Sequence, residues 1–378
     1  MNRATLKSED NAVERVLYMA MELSNKRWKL VFGEGEKRRH VTVEAGCRVE
    51  LSEAIGKAKE RFHLPADVRM VSCYEAGRDG FWLHRYLLGM GIENQVVDSS
   101  SIETNRRARR AKTDRLDGDK LLNMLIRYCA GEKGVWSVVR VPSVEDEDAR
   151  RLHREMERLK KERTAHRNRV RSLLVAQGLQ VEPNGEFLKR LEGLRLWDGR
   201  PLPAELKGEL GREYTRLSVV EEQLRALEET RSERLKHAMS PALQQVVQLM
   251  ELRAIGPVSA WVLVLEFFSW RGLRNRREVA ALAGLTGTPY ASGESWRDQG
   301  ISKAGNPRVR TRMIEIAWLW LRYQPDSALS QWFKARFASG GPRMRRVGIV
   351  ALARRLLIAL WRYLEEGLLP EGAELKAA

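Results

Sequence analysis

The sequence predicts two fold classes in one chain, α/β first and all-α after it. Three observations carry this. Between Val16 and about Ala130 the apolar pattern changes every ten residues or so, alternating between strand-like and helix-like stretches. Residues 141–245 carry heptad-like apolar stripes on a highly charged background. From Leu249 onward helical spacing returns, broken by a Gly- and Ser-rich loop at 284–305. The expected domains are 15–140, a mixed sheet with flanking helices; 141–245, a helical hairpin or coiled coil; 246–365, a helical C-terminal domain; and 366–378, a disordered tail.

The first domain reads as follows. Val16–Leu23 is a strand and Trp28–Phe32 a second, with Ser24-Asn25-Lys26 as the turn. His40–Val43 is a third strand. Leu51–Phe62 has helical spacing at Ala54, Ile55, Ala58 and Phe62. Val68–Tyr74 is a fourth strand, Phe81–Met90 a helix stopped by Gly91, and Asn94–Val97 a fifth strand. Asp114–Cys129 is the closing helix. Short links between strands one to three predict an antiparallel meander. Strands alternating with helices predict parallel additions to it.

In the second region Leu152, Met156, Leu159, His166, Val170 and Leu173 recur in steps of four and three, with Arg163 in the missing position. Leu206, Leu210, Tyr214, Leu217, Val220, Leu224 and Leu227 nearly repeat the pattern. A Gly/Pro-rich link, Gly178 to Pro203, separates the two stripes. An antiparallel hairpin satisfies both; an oligomer interface is the alternative.

The chain has 378 residues and a net charge of +17, and 50 of its 67 cationic side chains are arginine. With 43% hydrophobic and 31% charged residues it is globular rather than disordered. Arginine's planar fork suits phosphates, which makes a polyanion the first candidate partner. Cys47, Cys73 and Cys129 form no CxxC pair, against a zinc site or a disulfide framework and for a reducing compartment. The longest apolar stretch, Ala260 to Trp270, contains Glu266 and falls short of the ~20 residues of a membrane span. No signal-peptide pattern opens the sequence. An intracellular protein bound to nucleic acid is expected, with no membrane partner.

Four carboxylates stand where a metal-dependent nuclease of the RNase H or RuvC type needs them. Glu22 ends the first strand. Glu75 ends the fourth, in Cys73-Tyr74-Glu75-Ala76-Gly77. Asp114 and Asp117 open the closing helix, and their i, i+3 spacing places both on one face. In such a sheet the ends of strands one and four are neighbours, and the helix crosses near them. Mg²⁺ prefers carboxylate and water oxygens. Two such ions about 4 Å apart serve phosphodiester displacement. Each acid alone has an ordinary reading, at a strand end or in the first turn of a helix. Asp79, Asp98 and Asp119 are competing candidates. Just upstream, Arg106, Arg107, Arg109, Arg110 and Lys112 form a basic run, either a solvated face or a phosphate-binding segment.

Two further motifs lie near the C-terminus. Leu252-Arg253-Ala254-Ile255-Gly256-Pro257 resembles a helix-hairpin-helix turn, whose backbone N–H groups can face a phosphate; Gly256 is its candidate contact. The stretch Gly284 to Arg308 carries exposed hydroxyls with Lys303 and Arg308. It is either a polar connection between helices or the seat of a serine nucleophile. No Ser-His-Asp arrangement is legible, because all six histidines lie outside it.

Together these motifs resemble the DEDD transposases of the IS110 family, in particular the IS1111 branch. The likeness runs over roughly residues 15–365. It is strongest in Met21–Lys26, Ser72–Gly80, Arg110–Asp117 and the loop from Gly284 through Asn306. The resemblance implies a RuvC-like domain with its tetrad at Glu22, Glu75, Asp114 and Asp117 binding Mg²⁺. It implies a coiled coil used in assembly and a nucleophilic serine in a Ser-Gly element, here Ser292-Gly293, with Ser295 and Ser302 nearby. It further implies a bacterial, cytoplasmic recombinase acting on target and donor DNA, nucleoid-associated when active. A structured guide RNA, the bridge RNA, would direct it, in a homo-oligomer from dimer to tetramer. Composite sites and a 5′-phosphoserine intermediate belong to the same picture. Many members carry Asp at the first acidic position, where this chain has Glu22. A RuvC-type nuclease that hydrolyses DNA with water is the alternative function.

Overall fold

The computed structural model describes residues 15–102, 114–292 and 295–376, apart from the side chains of 114–116 and 291–298. It separates into two compact units, divided between Val141 and Pro142.

The first unit runs β1 (Val16–Glu22), β2 (Arg27–Glu34), β3 (Lys37–Glu44), α1 (Arg48–Arg61), β4 (Arg69–Glu75), α2 (Trp82–Gly89), β5 (Glu93–Val97) and α3 (Asp114–Cys129). The strand order is β3-β2-β1-β4-β5. β1, β2 and β3 form the antiparallel meander, and β4 and β5 extend it in parallel with β1. This mixed sheet with flanking helices is consistent with an RNase H-like domain.

Period-two alternation sorts the side chains between two faces. Leu17, Met19 and Met21 pack with Leu30, Phe32 and Tyr74 beneath α1 and α2. Ala20, Val31, Val71 and Cys73 take the other face, against Leu121, Leu122 and Leu125 of α3. A Cβ on Gly118 would come 2.7 Å from Cγ2 of Val31, so glycine is what lets the first turns of α3 lie against the sheet. Burial pushes the Cys73 thiol well above its ordinary pKa, and that of Cys129 upward as well. Neither is a ready nucleophile.

The second unit begins with α4 (Val144–Ala149), α5 (Arg151–Val175), α6 (Phe187–Gly193) and α7 (Ala204–His237). α8 (Pro241–Glu251), α9 (Pro257–Leu263), a π-turn at Val264–Phe268, α10 (Ser269–Arg271) and α11 (Arg276–Leu282) follow. β6 (Gly287–Ser292), β7 (Ser295–Ile301), α12 (Pro307–Tyr323), α13 (Ala328–Phe337) and α14 (Pro342–Glu366) complete it. α5 and α7 are antiparallel: Arg169 meets Glu213, Arg167 meets Glu221 and Lys160 meets Glu228. Toward the link, Val170, Leu174, Phe187, Leu191, Leu210 and Leu217 form one core. At the other end Leu152, Met156, Leu159, Val220 and Leu224 join the core of everything after residue 246. Residues 245 and 246 therefore mark no packing boundary, because the apolar stripes continue into the helices that follow.

One stripe hides a charge. Glu213 on α7 is 1% exposed. Nδ1 of His166 donates to its carboxylate at 2.6 Å, and Arg169 and Arg216 reach it at 2.7 and 2.8 Å. Burial alone would raise its pKa, but the hydrogen bonds from His166 and Arg216 and the charge of Arg169 hold it below the ordinary carboxylate value.

Two expectations fail here. The stretch 284–305 contains an antiparallel β-hairpin rather than a plain loop, with Tyr290 opposite Arg297 and Ser292 opposite Ser295. The tail after α14 is docked rather than disordered through Lys376. Leu375 bridges to Leu252, Arg253 N donates to Glu374 O at 3.2 Å, and Lys376 N donates to Glu251 O at 2.7 Å. Gln324, 1% exposed, donates to Arg253 O and Glu374 O and accepts from Glu374 N. The tail satisfies backbone groups of the α8–α9 turn, which offsets the entropy of ordering it.

Candidate active site

The parallel register of β1 and β4 pairs Met21 with Tyr74. Glu22 and Glu75, the next residue on each strand, therefore leave the same edge of the sheet side by side. Adjacent strands lie about 4.8 Å apart. Asp117 sits in the first turn of α3, held over that edge by the close approach at Gly118. Glu22, Glu75 and Asp117 all line one open cleft of about 1030 Å³, together with Lys26, Arg78, Asp79 and Lys120. Glu22 is half-buried and its Oε2 is closed off from solvent, whereas Glu75 and Asp117 are exposed. The backbone of Asp114 lies in α3, one turn before Asp117; its side chain is outside the described residues.

Carboxylate oxygens are the donor type that Mg²⁺ prefers, so the lining fits a hard cation in chemistry. Among the described residues no three acidic, histidine or cysteine side chains close into an ion-binding group. The competing acids divide. Asp98 caps the 3-10 turn at Ser99–Ser101 by accepting from Ser100 N, and Asp119 lies 3.1 Å from His40 Nε2. Asp79 remains on the cleft. Arg106, Arg107, Arg109, Arg110 and Lys112 lie outside the described residues.

In the second unit Ser292 ends β6 at the tip of the β6–β7 hairpin; its side chain and that of Ser295 are outside the described residues. Ser302 lies at the foot, where its Oγ accepts from Thr286 Oγ1 at 3.3 Å. The two feet are stitched together by Ser302 N to Thr286 O at 2.8 Å and Asn306 N to Leu282 O at 2.8 Å. Arg310 donates to Lys303 O at 3.0 Å. Gly305, at φ +140°, passes so close that a Cβ would stand 2.4 Å from Leu282 O and 2.7 Å from Gly284 N. Gly305→Ala is accordingly expected to destabilise the foot by about 1–3 kcal/mol, read as a lower Tm and faster proteolysis within 287–301. A Tm equal to wild type would disprove the close approach.

Behind this foot lies a buried carboxylate that sequence reasoning noted only as an interruption of an apolar run. Glu266, in the π-turn, is 1% exposed. Arg154 grips it with two bonds, Nε at 2.6 Å and Nη2 at 2.8 Å, and His153 Nε2 donates at 2.8 Å. Asn306 Nδ2 donates at 3.3 Å to Oε2, the oxygen that Arg154 Nη2 also reaches. Burial would raise the Glu266 pKa, yet the Arg154 and His153 bonds hold it far below the usual carboxylate range. Arg150 and Arg271 both stack on Trp270, 4.7 and 4.4 Å from its ring centroid. Burial and the charge of Arg150 lower the Arg271 pKa to about 10. These arginines serve packing.

In the α8–α9 turn Ala254, at φ +78°, and not Gly256, is the left-handed residue. Gly256 is the extended N-cap of α9, with open space where a Cβ would stand. Lys303 is exposed, at φ +58°. Arg308 donates from Nε to Glu157 at 2.7 Å, which ties α12 to α5. Among the described residues no helix is long and apolar enough to cross a membrane.

The first unit is thus a mixed sheet, consistent with an RNase H-like domain, with acids at its edge, and the second is mostly helical and bears a hairpin with serines near its tip. Residues 247–333 match the model of the transposase IS116/IS110/IS902 family. The chain is 44% identical to "Putative transposase y4rJ" of Sinorhizobium fredii over 95% of its own length and 94% of the relative's. It is 27% identical to the transposase for insertion sequence element IS1111A of Coxiella burnetii, over 74% of each chain. The chain belongs to the IS116/IS110/IS902 family of insertion-sequence transposases, as its motifs led us to expect.

Proposed function

We propose that this transposase cuts and rejoins DNA through a serine ester, with Glu22, Glu75, Asp114 and Asp117 as the acidic tetrad and Ser292 as nucleophile. The observation that carries the reading is the pairing of Glu22 and Glu75 on neighbouring parallel strands, in one cleft with Asp117. Mg²⁺ held by these carboxylates would neutralise charge developing on the phosphate oxygens. Ser292 Oγ bonds to phosphorus while the P–O3′ bond breaks. The serine gives up its proton, and the leaving 3′ oxygen takes one up as a hydroxyl. The 5′-phosphoserine ester keeps the bond energy, so attack by a new 3′-hydroxyl rejoins DNA and frees the serine. Cations of the 106–112 run, with Gly256, Lys303 and Arg308 in the second unit, are proposed to face nucleic-acid backbones. The net charge of +17 supports this. Following the family resemblance, a structured guide RNA supplies sequence choice by pairing with target and donor DNA. The acids of one protomer then act with the serine of another in a homo-oligomer of dimer to tetramer.

The test is a denaturing gel of protein with end-labelled DNA and Mg²⁺. Wild type is expected to give a covalent adduct, and Ser292→Ala none, with DNA binding intact. An adduct that persists in Ser292→Ala overturns the assignment. Hydrolysed DNA without any adduct would instead mark a RuvC-type nuclease using water.

A further inference from the structure

We infer that Glu266 is a positioning residue for the Ser292 hairpin, acting through Asn306. Among the described residues the hairpin is tied to the rest of the unit at its feet, and Asn306 ends the second foot. Its side chain does two things at once. Oδ1 caps α12 by accepting from Arg308 N at 3.0 Å and Val309 N at 3.3 Å. Nδ2 donates to Glu266, which fixes the amide's orientation. Glu266 is in turn held by His153 and Arg154 of α5, and one turn further along α5 Glu157 holds Arg308. A single face of α5 thus grips the end of the hairpin from both sides of Asn306.

The neighbours of Glu266 make its charge costly. Val264, Leu265, Phe267 and Phe268 are all buried. A well-packed apolar residue could serve stability as well as a buried ion pair does. What a carboxylate adds is direction, since its oxygens fix two donors of α5 and one of the loop in a single arrangement. The π-turn, one residue wider than α-helix, brings Glu266 there.

The inference rests on the proposed role of Ser292 for its kinetic readout only. Asn306→Asp keeps the cap on α12 but sets a carboxylate against Glu266. It is expected to slow adduct formation on the order of 10- to 100-fold at saturating DNA, with DNA affinity unchanged. Hydrogen exchange across 287–301, measured without DNA, should rise. In the double variant Glu266→Gln/Asn306→Asp the amide at 266 donates to the carboxylate at 306, while Arg154, which reached both Glu266 oxygens, keeps one acceptor there. Relative to Asn306→Asp alone it should regain exchange protection and rate in part, which a merely structural role would not do. Exchange in Asn306→Asp equal to wild type, or a double variant no better than Asn306→Asp alone, overturns the inference. If wild type forms no Ser292 adduct, the serine reading fails by itself and the exchange data still decide for or against the latch.

Discussion

Asp117→Asn is expected to lower DNA cutting by at least about 100-fold at fixed Mg²⁺, measured as cleavage of labelled donor DNA. The change keeps the size and polarity of the side chain and the first turn of α3. It removes one charge from a cleft where Glu22 and Glu75 already converge. Affinity for DNA should hold or tighten, because a negative charge facing phosphate is gone. Asp119→Asn is the control: that carboxylate lies against His40, and the variant should cut at the wild-type rate. Wild-type cutting by Asp117→Asn would exclude the residue from the tetrad.

The second large effect is on stability. Glu266→Ala leaves the donors of His153, Arg154 and Asn306 facing a cavity. Breaking a buried, hydrogen-bonded charge pair from one side costs about 3–5 kcal/mol. In a unit of this size that corresponds to a fall of roughly 10 °C in Tm. The pH dependence follows from the direction of the Glu266 shift. Its folded pKa is depressed, so the stabilisation is fully present above the unfolded carboxyl value of about 4.3. It is lost as the pH falls below that value toward the folded pKa. The stability gap between wild type and Glu266→Gln should therefore narrow in acid. A gap constant from neutral pH down to acid would show that the carboxylate is not held by charge.

Much of the first unit was legible because its signals are local. The strands alternate, and α3 ends at Cys129, where the reading placed it. Glu22 and Glu75 end the first and fourth strands, which are parallel neighbours; the reading took that adjacency from the RNase H-type sheet, not from a local signal. The second unit was harder. Glu213 and Glu266 are invisible to periodicity, since their histidine partners lie 47 and 113 residues away in sequence. A charge inside the run Ala260 to Trp270 was the available clue, and it was read only as an interruption of that run. The serine hairpin was missed because Gly and Ser read as loop. Tyr290 and Trp296, strand-favouring residues flanking Ser292-Gly293-Glu294-Ser295, were the missed signal. The docked tail has no periodic signal of its own: besides its backbone bonds it is held by two isolated side chains, Glu374 against Arg253 and Lys376 Nζ on the carbonyls of Met250 and Ile255.

The sharing of one core across the second unit bears on how its parts can be handled. The stretch that matches the family model, 247–333, contains the turn, the buried carboxylate and the hairpin. Its apolar interior, however, is completed by Leu152 and Met156 from before it and by Leu352, Leu356 and Leu360 from after it. The turn at Leu252 is closed by residues 374–376. The span that the family model covers is therefore shorter than the span that can hold itself together. A fragment cut to the recognised span would expose its own interior, whereas one running from Pro142 through Lys376 retains every layer that seals it.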